Sequence, residues 1–231
     1  MISIIIPAYN EEGQIGGLVT YLKKHSSEGR AEILLVDGGS TDGTKEEAEK
    51  AGAMVLKAPE KGRASQMNYG AEKSAGELLY FLHADTYPPA TFPADIEEAL
   101  KRGAEAGCFR LAFDDPHPAL RFYSWFTRFD VDAFRFGDQS LFVKKALFQR
   151  AGRFDEKLLV MEDQEIVTRL KDHAQFSILD KNVVTSARKY QRFGAFRLQL
   201  IFAIIVVLFY LKISQEVLAH FYKTFMTGEP H

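Results

Sequence analysis

With 231 residues and a formal net charge of −2, the chain gives no reason to expect a nucleic-acid partner. Apolar residues at 46% and charged residues at 26% are ordinary for a globular protein, with room for one sizeable domain, alone or with an appendage. The single cysteine, Cys108, excludes an internal disulfide and a cysteine-based zinc cluster, and it suits a reducing compartment.

The start, Met1 to Pro7, lacks a basic segment and breaks at Pro7 after a short apolar run, so it reads as a strand rather than a signal peptide. Ile2 to Ile6 is apolar on both parities, the pattern of a strand buried on both faces. Ala8-Tyr9-Asn10-Glu11-Glu12 then leads into a helix carrying Ile15, Leu18, Val19 and Leu22 at helical spacing, with Lys23-Lys24-His25 suiting its C-terminal dipole. Ile33 to Val36 is a second buried strand, ending in Asp37-Gly38-Gly39-Ser40-Thr41-Asp42-Gly43-Thr44. There Ser40 or Thr41 is expected to cap a helix over Lys45 to Ala51. A short third strand over Ala53 to Leu56 and a helix opening at Gly62-Arg63 follow. The run Leu78 to Leu82 then delivers His83-Ala84-Asp85 to a strand end. Taken alone, Asp85 fits a turn or a helix cap. Four strand–helix alternations predict an α/β fold with a mostly parallel sheet flanked by helices and right-handed crossovers. In such sheets ligands bind at the carboxyl ends of strands, so Tyr9, Asn10, Glu11, Asp37 and Asp85 are expected to converge. No Gly-x-Gly-x-x-Gly follows the first strand and no Walker A sequence is present.

The second half changes character. Cys108 to Phe113 reads as a strand, and Pro116 to Phe136 is rich in aromatics at roughly helical spacing. Such a stripe first predicts burial in a core or interface, with an acceptor-binding or membrane-touching surface as the alternative. A helix is expected from about Glu162-Asp163, whose acidic start also suits the dipole. Short strands are expected at Phe176 to Leu179 and Val183-Val184, then a basic segment over Thr185 to Arg192. Helices over about Phe193 to Leu211 and Ser214 to Phe225 close the chain. The apolar run Leu200 to Leu211 is too short for a membrane span, which takes about 20 residues.

Five segments in order resemble the GT-A fold of family 2 glycosyltransferases. They are Ile4 to Glu12, Val36 to Thr44, Arg63 to Asn68 with Gly70-Ala71, Phe81 to Asp85, and Met161-Glu162-Asp163. The resemblance covers residues up to about Arg192, giving a domain over 1–192 and a helical extension over 193–231 for packing, dimer contact or membrane-surface contact. The variant details Arg-Ala-x-Gln-Met-Asn, His-Ala-Asp, Gly-Asp-Gln and Thr-Ser-Ala-Arg are similar to a bacterial subgroup labelled arsenosugar-biosynthesis-type glycosyltransferases. His83 stands where the family usually has the first Asp of Asp-x-Asp.

The resemblance implies inverting transfer from a nucleotide-diphosphate sugar, with UDP preferred, to an acceptor that is lipid-linked or a small molecule. Asp85 takes the metal role, for Mn²⁺ or Mg²⁺, and His83 lies near the donor. Pro7, Tyr9, Asn10 and Glu11 line the base pocket, and Asp37 bonds uracil or ribose. Arg63 reaches a phosphate or the base, while Gln66 and Asn68 belong to the donor side as loop supports. Asp163 is the general base, beside Glu162. Asp138 and Gln139 face the acceptor, and Arg188 and Arg192 cover the diphosphate on closure. A cytoplasmic location follows, with peripheral contact at the inner face of the membrane or a homodimer through the C-terminal helices. Competing readings are a catalytically silent nucleotide-sugar-binding module, a sugar-phosphate nucleotidyltransferase and a membrane-surface protein.

Overall fold

A computed structural model describes residues 1–26, 29–135 and 137–227. Its centre is one sheet. The strands on one side of it are β1 (Ile2–Ala8), β2 (Ala31–Asp37), β3 (Met54–Lys57) and β4 (Leu78–Phe81). The others are β5 (Thr86–Tyr87), β6 (Ala106–Phe113), β7 (Leu141–Lys144) and β8 (Phe176–Thr185), in the order β3-β2-β1-β4-β7-β6-β8-β5. The first four are mutually parallel, as expected. The second half departs from that pattern: β7 runs antiparallel between β4 and β6, and β5 runs antiparallel to β8. The sheet is therefore mixed.

Both faces are covered, which is why the central strands are apolar at every position. Ile4, Ile6, Leu35 and Tyr80 point to one face, under Leu18 and Leu22 of α1 (Glu12–His25) and Phe92 and Ile96 of α4 (Phe92–Lys101). Ile5, Leu34, Val36 and Phe81 point to the other. They meet Met67 of α3 (Arg63–Lys73), Phe148 of α6 (Lys145–Arg150), and Ile166 and Leu170 of α7 (Glu162–His173). Successive side chains alternate between the two layers, as a pleated strand requires. Gly70 sets the distance of α3 from the sheet, since a Cβ there would come within 2.5 Å of Ile5 Cγ2 and 3.0 Å of Val36 Cγ2.

Strand direction decides where polar groups collect. β1, β2, β4, β6 and β8 all end at one edge of the sheet, and β7 and β5 begin there. Phe81 pairs with Leu141, so the residues after β4 and those before β7 share that edge.

Several expectations need correction. Asp85 does not end β4. It sits in a turn that leads into β5, with the Thr86 amide donating to the His83 carbonyl at 3.2 Å. The helix α2 (Thr44–Ala51) has no side-chain cap; the Ser40 hydroxyl instead accepts from the Asn10 amide at 3.0 Å. The two short strands expected near Phe176 and Val183 are one strand, β8, with a register shift opposite Phe109 and Arg110. The aromatic stripe forms α5 (Pro118–Trp125) and short 3₁₀ turns and is not a core: Phe122 is 60% exposed and Trp125 44%. Phe136, its last residue, lies outside the described residues. The basic segment is partly helical, as α8 (Arg188–Phe193), and Gly194, at φ +84°, separates it from α9 (Ala195–Tyr210). The last helix is α10 (Gln215–Thr227). Ile201 and Ile205 of α9 pack with Leu218 of α10 against Val160 and Met161, just before α7. No helix among the described residues is long and apolar enough to cross a membrane.

Candidate active site

The polar sheet edge holds two clusters of charge. The first joins the turns after β1 and β4 to α8. Arg188 donates from Nη2 to Glu11 Oε1 at 2.8 Å and to Asp85 Oδ2 at 3.2 Å. The β5–β8 pairing brings these residues together: the Thr86 hydroxyl donates to that of Thr185 at 2.9 Å, and the Ser186 amide to the Asp85 carbonyl at 3.1 Å. The carboxylates of Glu11 and Asp85 raise the Arg188 pKa against partial burial.

The loops behind this cluster are knitted by side chains. Asn10 sits at φ +55°, which asparagine tolerates, and its Oδ1 accepts from the Thr41 amide at 2.9 Å. The Glu11 amide donates to the Thr44 hydroxyl at 2.8 Å. Asp37 is buried, and its carboxylate accepts from the amides of Ser40 at 2.9 Å and Gly39 at 3.2 Å. Gln66 and Asn68 are buried. The Gln66 amide donates to the carbonyls of Ala8 at 3.0 Å and Val36 at 2.7 Å, joining the ends of β1 and β2. Asn68 donates to the Phe154 carbonyl at 2.9 Å and accepts from its amide at 3.0 Å. Pro7 is half-buried and Tyr9 is exposed at the end of β1.

The second cluster joins α3, the turn after β4, the turn before β7 and the start of α7. His83 Nδ1 lies 2.8 Å from Asp138 Oδ1, and His83 Nε2 lies 3.9 Å from Asp163 Oδ2. Arg63 Nη1 lies 3.2 Å from Glu162 Oε1 and 3.5 Å from Asp163 Oδ2. Arg63 was expected on the donor; here it is paired with the two acidic residues that open α7. Met161, at φ +70°, turns the chain sharply into that acidic pair. Burial and the Asp163 carboxylate push the Glu162 pKa up, against the pull of Arg63. Burial and the Arg63 charge press down on the His83 imidazole, but the hydrogen bond to Asp138 and the nearby carboxylates outweigh them and raise it. In turn, although burial opposes it, the bond from His83 holds Asp138 well below the usual carboxylate range.

Two residues fall elsewhere. Gln139 is buried, with its amide directed at the carbonyls of Phe109 and Thr127, both at 3.5 Å. Arg192 is exposed, its guanidinium 5.1 Å from the Phe193 ring centre.

A cavity of about 490 Å³ opens beside the second cluster. Arg63, His83, Asp138, Glu162 and Asp163 line it together with Tyr123 of α5, Tyr190 of α8, Phe202 and Val206 of α9, and Tyr222 of α10. Sequence reasoning placed Arg188 and Arg192 of α8 over the donor but did not place α9 and α10 at the site. Only the tertiary packing of Ile201, Ile205 and Leu218 on Val160 and Met161 brings them there.

A metal would have to be held sparsely. Among the described residues no three His, Cys, Asp or Glu side chains are grouped to hold an ion. Glu11 Oε2 is buried without a hydrogen-bond partner, and Asp85 shares Arg188 with Glu11. One or two carboxylates completed by substrate phosphates is a common arrangement for Mg²⁺, and these residues fit it.

The mixed sheet with two acidic clusters at its carboxyl edge has the architecture of the GT-A glycosyltransferases. The likeness of fold extends to mannosyltransferase PcManGT from Pyrobaculum calidifontis in complex with GDP-Man and Mn²⁺. That match has a TM-score of 0.72 and 15% identity, covering 97% of this chain and 69% of that one. S. aureus TarS 1–349 in complex with UDP matches with a TM-score of 0.68 and 18% identity, over 98% and 72% of the two chains. The chain belongs to glycosyl transferase family 2, whose profile matches residues 3–151. Glycosyltransferase AglE of Haloferax volcanii is 33% identical over 94 residues, 38% of this chain and 31% of that protein. The undecaprenyl-phosphate 4-deoxy-4-formamido-L-arabinose transferase of Pseudomonas aeruginosa is 34% identical over 125 residues, 50% and 37%. The chain thus spans about a third of the length of these curated relatives.

Proposed function

We propose that this chain transfers a sugar from a nucleotide-diphosphate sugar to an acceptor hydroxyl by single displacement with inversion. The observation that supports it most is the pairing of two clusters on one sheet edge. Glu11, Asp85 and Arg188 suit a diphosphate; Asp163 faces a cavity that could hold an acceptor. In this reading Asp85 holds Mn²⁺ or Mg²⁺, and the chemistry such an ion supplies is stabilisation of charge on the departing diphosphate. Arg188 lies beside the same carboxylate and adds its charge to the leaving group. Tyr9, Asn10 and Asp37 border the nucleoside end. Asp163 takes the proton of the acceptor hydroxyl, a role that demands hydrogen-bond reach before a tuned pKa. Because one base works opposite the leaving group, the anomeric configuration inverts. Arg63 stabilises the Glu162–Asp163 pair rather than the donor.

UDP remains the preferred nucleotide by resemblance, although the structural neighbours include complexes with GDP-Man as well as UDP. The arsenosugar-type subgroup rests on the motif variants alone. Division into 1–192 and a C-terminal helical extension, a cytoplasmic location, and peripheral membrane or dimer contact through exposed Phe196, Leu200 and Val207 belong to the same reading.

Calorimetric titration of UDP, GDP and CDP, each with and without Mn²⁺, tests it. Metal-dependent binding of one nucleotide is expected. Binding of none to folded protein would overturn the donor site.

A further inference from the structure

The cavity lining divides by chemistry. Its acidic residues come from the turn before β7 and the first turn of α7; its basic ones are Arg63 of α3, His83 after β4, Arg135, Lys189 of α8 and Lys223 of α10. Its apolar residues come from β6, α5 and α9: Leu111, Phe113, Tyr123, Phe202, Ile205 and Val206. A volume of about 490 Å³ suits a compact organic molecule, since small-molecule pockets span roughly 300–1,000 Å³. Apolar walls with a few convergent polar groups are the usual form of such a pocket.

The charge distribution narrows the head group. Glu162 and Asp163 are mostly buried, with 5% and 19% of their side chains exposed. Arg63 is already engaged by both, and His83 by Asp138. Lys189 and Lys223 also line the cavity as exposed residues, and the Lys189 charge is felt by Asp138 rather than lying beside Asp163. A phosphate placed to react beside Asp163 would set its charge against two buried carboxylates. It would also need no base, because a phosphate oxygen is already deprotonated. A neutral hydroxyl meets neither objection: it can donate to Asp163 while its apolar body lies against Phe202 and Val206.

We infer that this cavity binds a compact, uncharged, largely apolar molecule through one hydroxyl, and that this class of alcohol is the acceptor. The acceptor half of the inference rests on the transferase reading above. The proton goes from the hydroxyl to Asp163. The oxygen forms the new bond to the anomeric carbon as that carbon's bond to the diphosphate breaks, and the diphosphate leaves with the electron pair.

The test uses the whole chain and a matched set of probes: 4-phenyl-1-butanol, its phosphate monoester and glycerol. Binding is read first by saturation-transfer NMR without nucleotide. The alcohol is expected to bind, with the phosphate ester at least about tenfold weaker and glycerol undetected. Val206→Asp should weaken the alcohol at least about tenfold, whereas Val206→Leu should stay within about twofold. Equal or tighter binding of the phosphate ester, binding of glycerol, failure of the alcohol to bind, or a folded Val206→Asp that binds normally would each overturn the inference. In a second step, the sugar donor chosen by the nucleotide titration is added. The alcohol should then raise nucleotide release at least about tenfold over donor hydrolysis. If nucleotide and alcohol both bind and release is not raised, the acceptor assignment is wrong. If the alcohol binds and no nucleotide does, the pocket stands and the donor reading falls.

Discussion

Arg188 lies 3.2 Å from Asp85, so the carboxylate proposed for the metal is balanced by a guanidinium. A divalent cation bound there would compete with Arg188 for that oxygen. The pair is partly exposed, with 40% of the Arg188 side chain open to solvent, so its coupling is screened to about 1 kcal/mol or less. Arg188→Ala is therefore expected to tighten Mn²⁺ alone by up to about fivefold while weakening the nucleotide–Mn²⁺ pair. Calorimetry with and without nucleotide measures both. Weaker Mn²⁺ binding in the variant would mean that Arg188 organises the site instead of competing for it.

The second cluster is built around the missing side chain of Gly137. A Cβ there would lie 2.6 Å from Asp163 Cγ and 2.7 Å from His83 Cε1. Gly137→Ala must push one of them aside, and a displacement of about 1 Å at a reacting group costs about a hundredfold in rate. Transfer should fall by that order while nucleotide binding stays near normal. Asp163→Asn should show the same split with a loss of about 10²- to 10⁴-fold. Asp85→Ala should do the reverse, losing metal-dependent binding itself. Normal transfer by Asp163→Asn would remove it as the base.

How much of this was legible in the sequence follows the range of each interaction. Ile2 to Ile6 and Ile33 to Val36 declare themselves because a strand covered on both faces must be apolar at every position. His83 and Asp85 could be placed near one edge because they follow such a run, whereas Asp138 entered only through the family resemblance. The antiparallel insertion of β7 was not visible: Leu141 to Val143 is equally apolar in either direction. The pairing of Arg63 with α7 was not visible because its partners lie about a hundred residues away in sequence. The aromatics of α5 keep a helical period yet remain half-exposed, since period reports a face and not what covers it. The cavity wall from α9 depends on three buried residues, Leu198, Ile201 and Ile205, in a helix that is apolar all round. Nothing in such a helix marks which side packs.

Glu162 carries a pH signature. Its carboxyl is held above the ordinary value of 4.5 by burial and by Asp163. The folded protein therefore binds this proton more tightly than the unfolded chain does. As pH rises from 4.5 through the raised folded value, stability falls, by at most about 1.4 kcal/mol per pH unit within that window. Glu162→Gln cannot lose the proton, so its urea midpoints over roughly pH 4 to 8 should decline less than those of the unaltered protein. Parallel declines would mean that Arg63 keeps Glu162 ionised throughout.

Asn68 separates structural support from donor binding. It lies in the Arg-Ala-x-Gln-Met-Asn segment that resembles the family motif, but its amide is spent on both backbone groups of Phe154. Phe154 in turn packs edge-on against Phe81, with ring centres 5.0 Å apart, and Phe81 ends β4 two residues before His83. Asn68→Ala leaves a buried amide and a buried carbonyl without this partner, which costs about 2–4 kcal/mol together. Asn68→Asp should be worse near neutral pH, because its carboxylate would face the Phe154 carbonyl and Glu156, both now served by the Asn68 amide. Urea unfolding should show these losses, while nucleotide affinity, measured where the variants are folded, should change less than about threefold. A folded Asn68→Ala with normal stability and lost nucleotide binding would move Asn68 from the scaffold to the donor site.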